Sequence, residues 1–273
     1  MLPDATSNHH RKDSTSFFGQ LSVLKAKCGG GREFPVSKDQ MVLFGGLYGR
    51  LDALSNHVQY GSVESAPGMI DRITFKEPFE LVGHVSLTPV VPTGFPNGIY
   101  PGEIMANNTE LLFGTSVVLP EALQFGQPIK IHWRVYGLVK LDNLPIWLVQ
   151  FYSAMIQLMK GRLKPALLDY STAFELFIES FLRARLCNSY GPDMAEYLLD
   201  RAWRIDERVK DLMKQACGIR LTDGPDVYTP WDEYVRKPRN QIAHGQQINI
   251  DSESVEKAHQ AVWQAIKWVE SLA

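Results

Sequence analysis

Apolar and polar positions follow two different periods along this chain, and the change falls near residue 145. Before it, the pattern is short and strand-like. Ile129, Ile131, Trp133 and Val135 alternate with Lys130, His132 and Arg134, which is the period-two signature of a strand with one buried and one wet face. Residues 79–87 and 111–119 read as further strands, each bounded by Pro or Asn, and 72–76 as a shorter one. Residues 89–101 hold four prolines and two glycines and predict a loop. One helix is expected among the strands, because Leu47, Leu51, Leu54 and Val58 recur at three- to four-residue spacing.

After residue 145 the spacing becomes helical. Residues 146–160 are apolar and close at Gly161. Residues 166–186 carry one stripe of Leu167, Tyr170, Ala173, Phe174, Phe177, Ile178, Phe181 and Leu182, with Glu175, Glu179 and Arg183 at i,i+4 spacing beside it. Pro192 opens a third helix that is expected to run to Cys217 and stop at Gly218, with Arg201, Arg204 and Asp206 on a solvated face. Residues 219–230 predict a loop. The last helix begins at the N-cap cluster Asp251, Ser252 and Glu253 and turns Val255, Ala258, Val262, Ala265, Ile266 and Val269 inward. Four long helices with short links make a bundle.

Composition sharpens that division. Of the 21 glycines and 16 prolines in 273 residues, 16 and 11 lie in residues 1–145, so the turns concentrate there. The fold class expected is α+β: a polar tail over 1–16, a β-rich domain over 17–145 and an all-α bundle over 146–273. Charge does not change at the boundary, and the net charge of −2 excludes broad electrostatic capture of nucleic acid. Three cysteines, Cys28, Cys187 and Cys217, form no C-x-x-C pair, which argues against a disulfide framework or a cysteine zinc site and fits a reducing, cytoplasmic setting. No run of 18 apolar residues predicts a membrane span, and the first residues lack the apolar core of a signal peptide.

Familiar chemical motifs are absent. Gly29, Gly30 and Gly31, and Gly45 with Gly46 and Gly49, lack a P-loop ending and the G-x-G-x-x-G spacing, and read as turns. No zinc helix, nucleophile elbow or EF-hand loop occurs. His57 and His84 read as structural, and Lys130, His132 and Arg134 as a solvated sheet face.

One segment stands apart. Residues 236–244 carry Arg236, Lys237 and Arg239 with no acid, and end in His244 and Gly245. Pro238 suits a first helical position and Gly245 the residue just past a helix end, so 239–244 is expected to be a short helical stretch or a helix restarting after a kink. Asn240 and His244 then share a face at i,i+4, where the amide can orient the imidazole. Imidazoles exchange protons near neutral pH, and a guanidinium grips phosphate in bidentate fashion. Together they suit phosphodiester cleavage with no metal or other cofactor, and Arg236 and Lys237 are candidate substrate contacts.

Arg239, Asn240, Ala243, His244 and Gly245, placed before a final amphipathic helix, resemble the R-x4-6-H signature of the HEPN superfamily over roughly residues 146–273. The resemblance implies an all-helical domain that cleaves RNA without metal, with one composite site formed across a homodimer. It implies that Arg239 holds the scissile phosphate, that His244 is general acid or base while a ribose 2′-hydroxyl attacks, and that Asn240 positions the histidine. It also implies that Glu175 is an acidic neighbour of the site. Such domains occur in toxin, abortive-infection and antiviral systems, and a β-rich domain beside one suggests a sensor for a ligand or protein trigger. The alternative is a non-catalytic HEPN module for binding or dimerisation, coupled to that sensor.

Overall fold

The computed structural model describes residues 24–27, 33–36, 47–66, 68–90, 99–117 and 128–272. The predicted tail, the two glycine clusters apart from Gly49, and residues 91–98 of the predicted loop lie outside them. The architecture is α+β. Among the described residues eight strands precede a run of helices that begins at Ile146.

Strands β1 (Leu24–Lys27) and β2 (Glu33–Val36) pair antiparallel. Two three-stranded antiparallel sheets follow. One, in the order β3-β8-β5, is built from β3 (His57–Ser65), β5 (Leu81–Pro89) and β8 (Ile129–Leu138). The other, in the order β4-β7-β6, is built from β4 (Ile70–Thr74), β6 (Ile99–Ala106) and β7 (Glu110–Val117). Ile131 and Val135 of β8 meet Ile73, Leu111 and Phe113 of the second sheet, with Phe75 and Phe79, in one core. This is how two sheets bury their inner faces against each other.

Strand β3 is not visible in the sequence pattern, for a physical reason. Two of its inward positions are polar and two of its outward ones apolar. Gln59 and Ser65 are buried, whereas Val58 and Tyr60 are exposed. Gln59 and Ser65 are tolerated inside because each finds hydrogen-bond partners. Gln59 Nε2 donates to the Glu77 carbonyl and its Oε1 accepts from Lys76 N–H, while Ser65 and Thr115 share a hydroxyl hydrogen bond of 2.8 Å. The predicted loop over 89–101 also needs correction, because β6 begins at Ile99 and includes Pro101. Among the described residues β6 pairs with β7 alone and is an edge strand, the place in a sheet where proline is tolerated.

Helix α1 (Leu47–Leu54) is shorter than predicted, and Val58 belongs to β3. It wedges between the first sheet and the helices, so that Leu51, Ala53, Leu54 and Leu138 of β8 join the helical core. Ser55 and Tyr152 share a 2.8 Å hydroxyl hydrogen bond, and Arg50 pairs with Glu256. Gly83 lets the sheet approach closely: a Cβ there would lie 1.9 Å from the Tyr152 hydroxyl.

Helices α2 (Ile146–Met159) and α3 (Leu163–Tyr190) pack along each other. The predicted α3 stripe is buried from Ala166 to Leu186, except for the partly exposed Phe181. The expected single helix from Pro192 to Cys217 is instead two, α4 (Pro192–Arg201) and α5 (205–217). Side chains supply the hydrogen bonds that a continuous helix would have made through its backbone. Arg208 Nε donates to the Ala202 carbonyl at 2.8 Å, and Glu207 accepts from Arg204 N–H at 3.4 Å.

The expected loop over 219–230 is also corrected. A short turn, Leu221–Asp223, leads into helix α6, which spans 225–243 without a break. Residues 239–244 are thus the end of a long helix rather than a short separate one. The turn Asp232–Arg236 is π-helical, with Lys237 N–H bonding back to the Asp232 carbonyl. The widening absorbs Pro238, whose ring would clash with a carbonyl four residues back in a regular α-helix. The last helix, α7 (Ser252–Glu270), is capped by Asp251, whose carboxylate accepts from Ser254 N–H at 2.7 Å. Among the described residues no helix is long and apolar enough to cross a membrane.

Candidate functional site

The C-terminal end of α6 is closed by a glycine-dependent motif. Gly245 N–H bonds to the Ile242 carbonyl and Gln246 N–H to the Gln241 carbonyl, both at 2.9 Å, with Gly245 at φ 71°. That left-handed conformation suits glycine. His244 is the C-cap residue just past the last helical position, Ala243, and is exposed.

Here α6 meets α3 and the start of α5. Arg239, Asn240 and His244 line a cleft of about 440 Å³ together with Glu175 of α3. Trp203, Arg204, Ile205 and Asp206 complete its lining. Ile242, on the other side of α6, packs on the helical core.

Within the cleft, Arg239 is oriented from two sides. Its Nε lies 3.6 Å from Glu175 Oε1, and its Nη1 donates to Asn240 Oδ1 at 3.4 Å. Glu175 also accepts from the Ser171 hydroxyl at 3.2 Å, which holds its carboxylate on the Arg239 side. The Asn240 amide therefore turns to the arginine. Among the described residues no side-chain hydrogen bond joins Asn240 to His244, so the shared face expected from their spacing exists without that link.

Arg236 and Lys237 do not line the cleft. Arg236 pairs with Asp232 on its own helix and reaches Asp206 at 3.0 Å, and Lys237 lies 2.9 Å from Asp232. Burial raises the Asp232 pKa, but hydrogen bonds from Arg236 and Lys237 outweigh it and hold the carboxyl below its usual value. Burial likewise lowers the Arg236 pKa, and the hydrogen bond to Asp232 with the charge of Asp206 more than reverses it. These pairs form a strut between α5 and α6.

Trp203 and Ile205 carry no functional signal in the sequence, and Arg204 and Asp206 read there as a solvated helix face. Among the described residues the other histidines do not line the cleft. His84 Nδ1 sits 2.9 Å from Asp52 Oδ1 with its ring stacked on Tyr48, and His57 packs against Phe79. Lys130, His132 and Arg134 are exposed on the sheet. Among the described residues no group of three His, Cys, Asp or Glu side chains is placed to hold a metal ion. No family model matches the chain, nor does any curated protein or solved structure.

Proposed function

We propose that the chain is a metal-independent endoribonuclease of the HEPN type, acting as a homodimer in the cytoplasm. The observation that carries this reading is the convergence of Arg239, Asn240 and His244 on one open cleft with Glu175 beside the arginine. A guanidinium in that position binds a non-bridging phosphate oxygen and stabilises the extra negative charge of the transition state. The ribose 2′-oxygen attacks phosphorus, the P–O5′ bond breaks, and a cyclic phosphate and a 5′-hydroxyl result. One proton leaves the 2′-hydroxyl and one is given to the 5′-oxygen. One imidazole takes up the first and a second delivers the other, which is the physical reason for two copies of His244 in one composite site. Glu175 and Asn240 act as positioning residues by fixing the Arg239 guanidinium. The β-rich part then has the role of sensing a ligand or protein trigger, as in a toxin or antiviral defence system.

The test is cleavage of single-stranded RNA in excess EDTA by the wild type, Arg239→Ala and His244→Ala, with sedimentation of each. Cleavage by a wild-type dimer, lost in both variants while their melting midpoints hold, is the expected result. Cleavage that requires a divalent cation, or a monomer that cleaves at undiminished specific activity, overturns the mechanism. RNA binding without cleavage assigns the cleft to a non-catalytic module.

A further inference from the structure

The lining of the Arg239 cleft includes the most exposed tryptophan among the described residues. Trp203 is 74% exposed, whereas Trp147, Trp231 and Trp263 are at most 5% exposed. The indole contributes nothing to either core, so packing does not account for it. Its backbone is nevertheless held on both sides. Arg208 Nε donates to the Ala202 carbonyl at 2.8 Å, and its guanidinium is in turn fixed by Glu179 at 2.8 Å. Arg204 carbonyl accepts from Arg208 N–H at 3.1 Å. The rim is thus pre-organised, which lowers the entropy lost when a ligand meets it.

The charges around it favour an anionic ligand. Arg204 is exposed, and among the described residues no carboxylate lies within 4.0 Å of its guanidinium. Of the two acids in the cleft, Asp206 is matched by Arg236 at 3.0 Å and Lys210 at 3.8 Å, and Glu175 by Arg239. An exposed aromatic face that shares one cleft with two guanidinium groups is how proteins hold single-stranded nucleic acid: the base stacks and the cations track the backbone. The cleft volume lies within the range of small-ligand pockets.

We propose that Trp203 is the base-stacking platform of this cleft and that Arg204 contacts the adjacent phosphate, so that an RNA nucleotide next to the scissile bond is held by its π-face. The assignment rests on RNA being the substrate, and makes Trp203 a positioning residue. Stacking accepts any base, so the site selects unpaired nucleotides rather than a sequence.

The experiment uses the full chain carrying His244→Ala, which keeps the RNA intact, and a short fluorescent single-stranded RNA beside an abasic ribose-phosphate strand of equal length. Trp203→Leu weakens binding of the RNA by about tenfold or more, and Trp203→Phe by less. Neither changes binding of the abasic strand, and part of the tryptophan fluorescence quenched by RNA is lost in both. With His244 restored, Trp203→Leu raises KM and leaves kcat at saturating RNA largely intact. Equal affinity of Trp203→Leu and its parent for RNA overturns the proposal. So does an equal loss for RNA and abasic strand together with a changed sedimentation coefficient, which would make Trp203 a contact between copies. Wild-type protein that shows the stacking but never cleaves leaves this assignment standing and overturns the catalytic one. Wild-type protein that binds no RNA overturns both.

Discussion

Replacing Arg236 by Gln separates a strut from a substrate contact. The Arg236 side chain is 20% exposed, Asp232 14% and Asp206 23%. Exposed ion pairs contribute about 0–1 kcal/mol, while removing one partner of a fully buried pair costs about 3–5 kcal/mol. This cluster lies between those limits. Lys237 remains 2.9 Å from Asp232 and Lys210 3.8 Å from Asp206, which softens the loss to about 2 kcal/mol. For a chain of this size that lowers the melting midpoint by roughly 4–8 °C. Lys237, 62% exposed, serves as the control, and Lys237→Gln changes stability by less than about 1 kcal/mol.

The pH dependence follows from the depressed Asp232 pKa. A carboxylate whose folded value is lowered stabilises fully above its unfolded value, and loses that contribution as pH falls through the lowered one. The gap between wild type and Arg236→Gln is therefore constant from neutral pH down to about pH 5, and it closes in acid below about pH 4. Thermal unfolding followed by circular dichroism across that range reads both quantities. An unchanged midpoint combined with weaker RNA binding refutes the reasoning and returns Arg236 to the substrate contacts.

Two backbone positions give further predictions. Gly83→Ala places a Cβ against the buried Tyr152 hydroxyl and destabilises by about 1–3 kcal/mol, read as the urea midpoint; an unchanged midpoint would mean that the sheet and α2 are not so closely apposed. At Gly245 nothing lies within 4 Å of an added Cβ, so Gly245→Ala costs only the left-handed backbone, about 1–2 kcal/mol in thermal unfolding. A rise in the midpoint, the usual effect of such a change at ordinary φ, would refute the helix end described here.

Much of the candidate site is legible in the amino-acid sequence, because it is local. Arg239, Asn240 and His244 are neighbours on one helix, and Gly245 ends it, so their proximity follows from helical spacing alone. Pro238 misleads, because it suggests a restart where a π-helical turn carries the helix through. Arg236 and Lys237 look like free cations in a segment without acids. Asp232 lies four residues before Arg236, just outside that window, and Asp206 is 30 residues away.

Periodicity reports a face only where an apolar stripe meets a core. It therefore determines β8, α2, α3 and α7, together with the caps at Gly161 and Asp251, and an α+β architecture with its strands first. It is silent on β3, whose buried Gln59 and Ser65 are satisfied by groups at positions 76, 77 and 115. It is silent too on the break at residues 202–204, which depends on where the Arg208 side chain folds. The cleft itself is decided only in three dimensions. Glu175, Trp203 and Arg239 come from three places in the chain spread over 64 positions, and only the packing of α3, α5 and α6 brings a carboxylate, an indole and a guanidinium to one place.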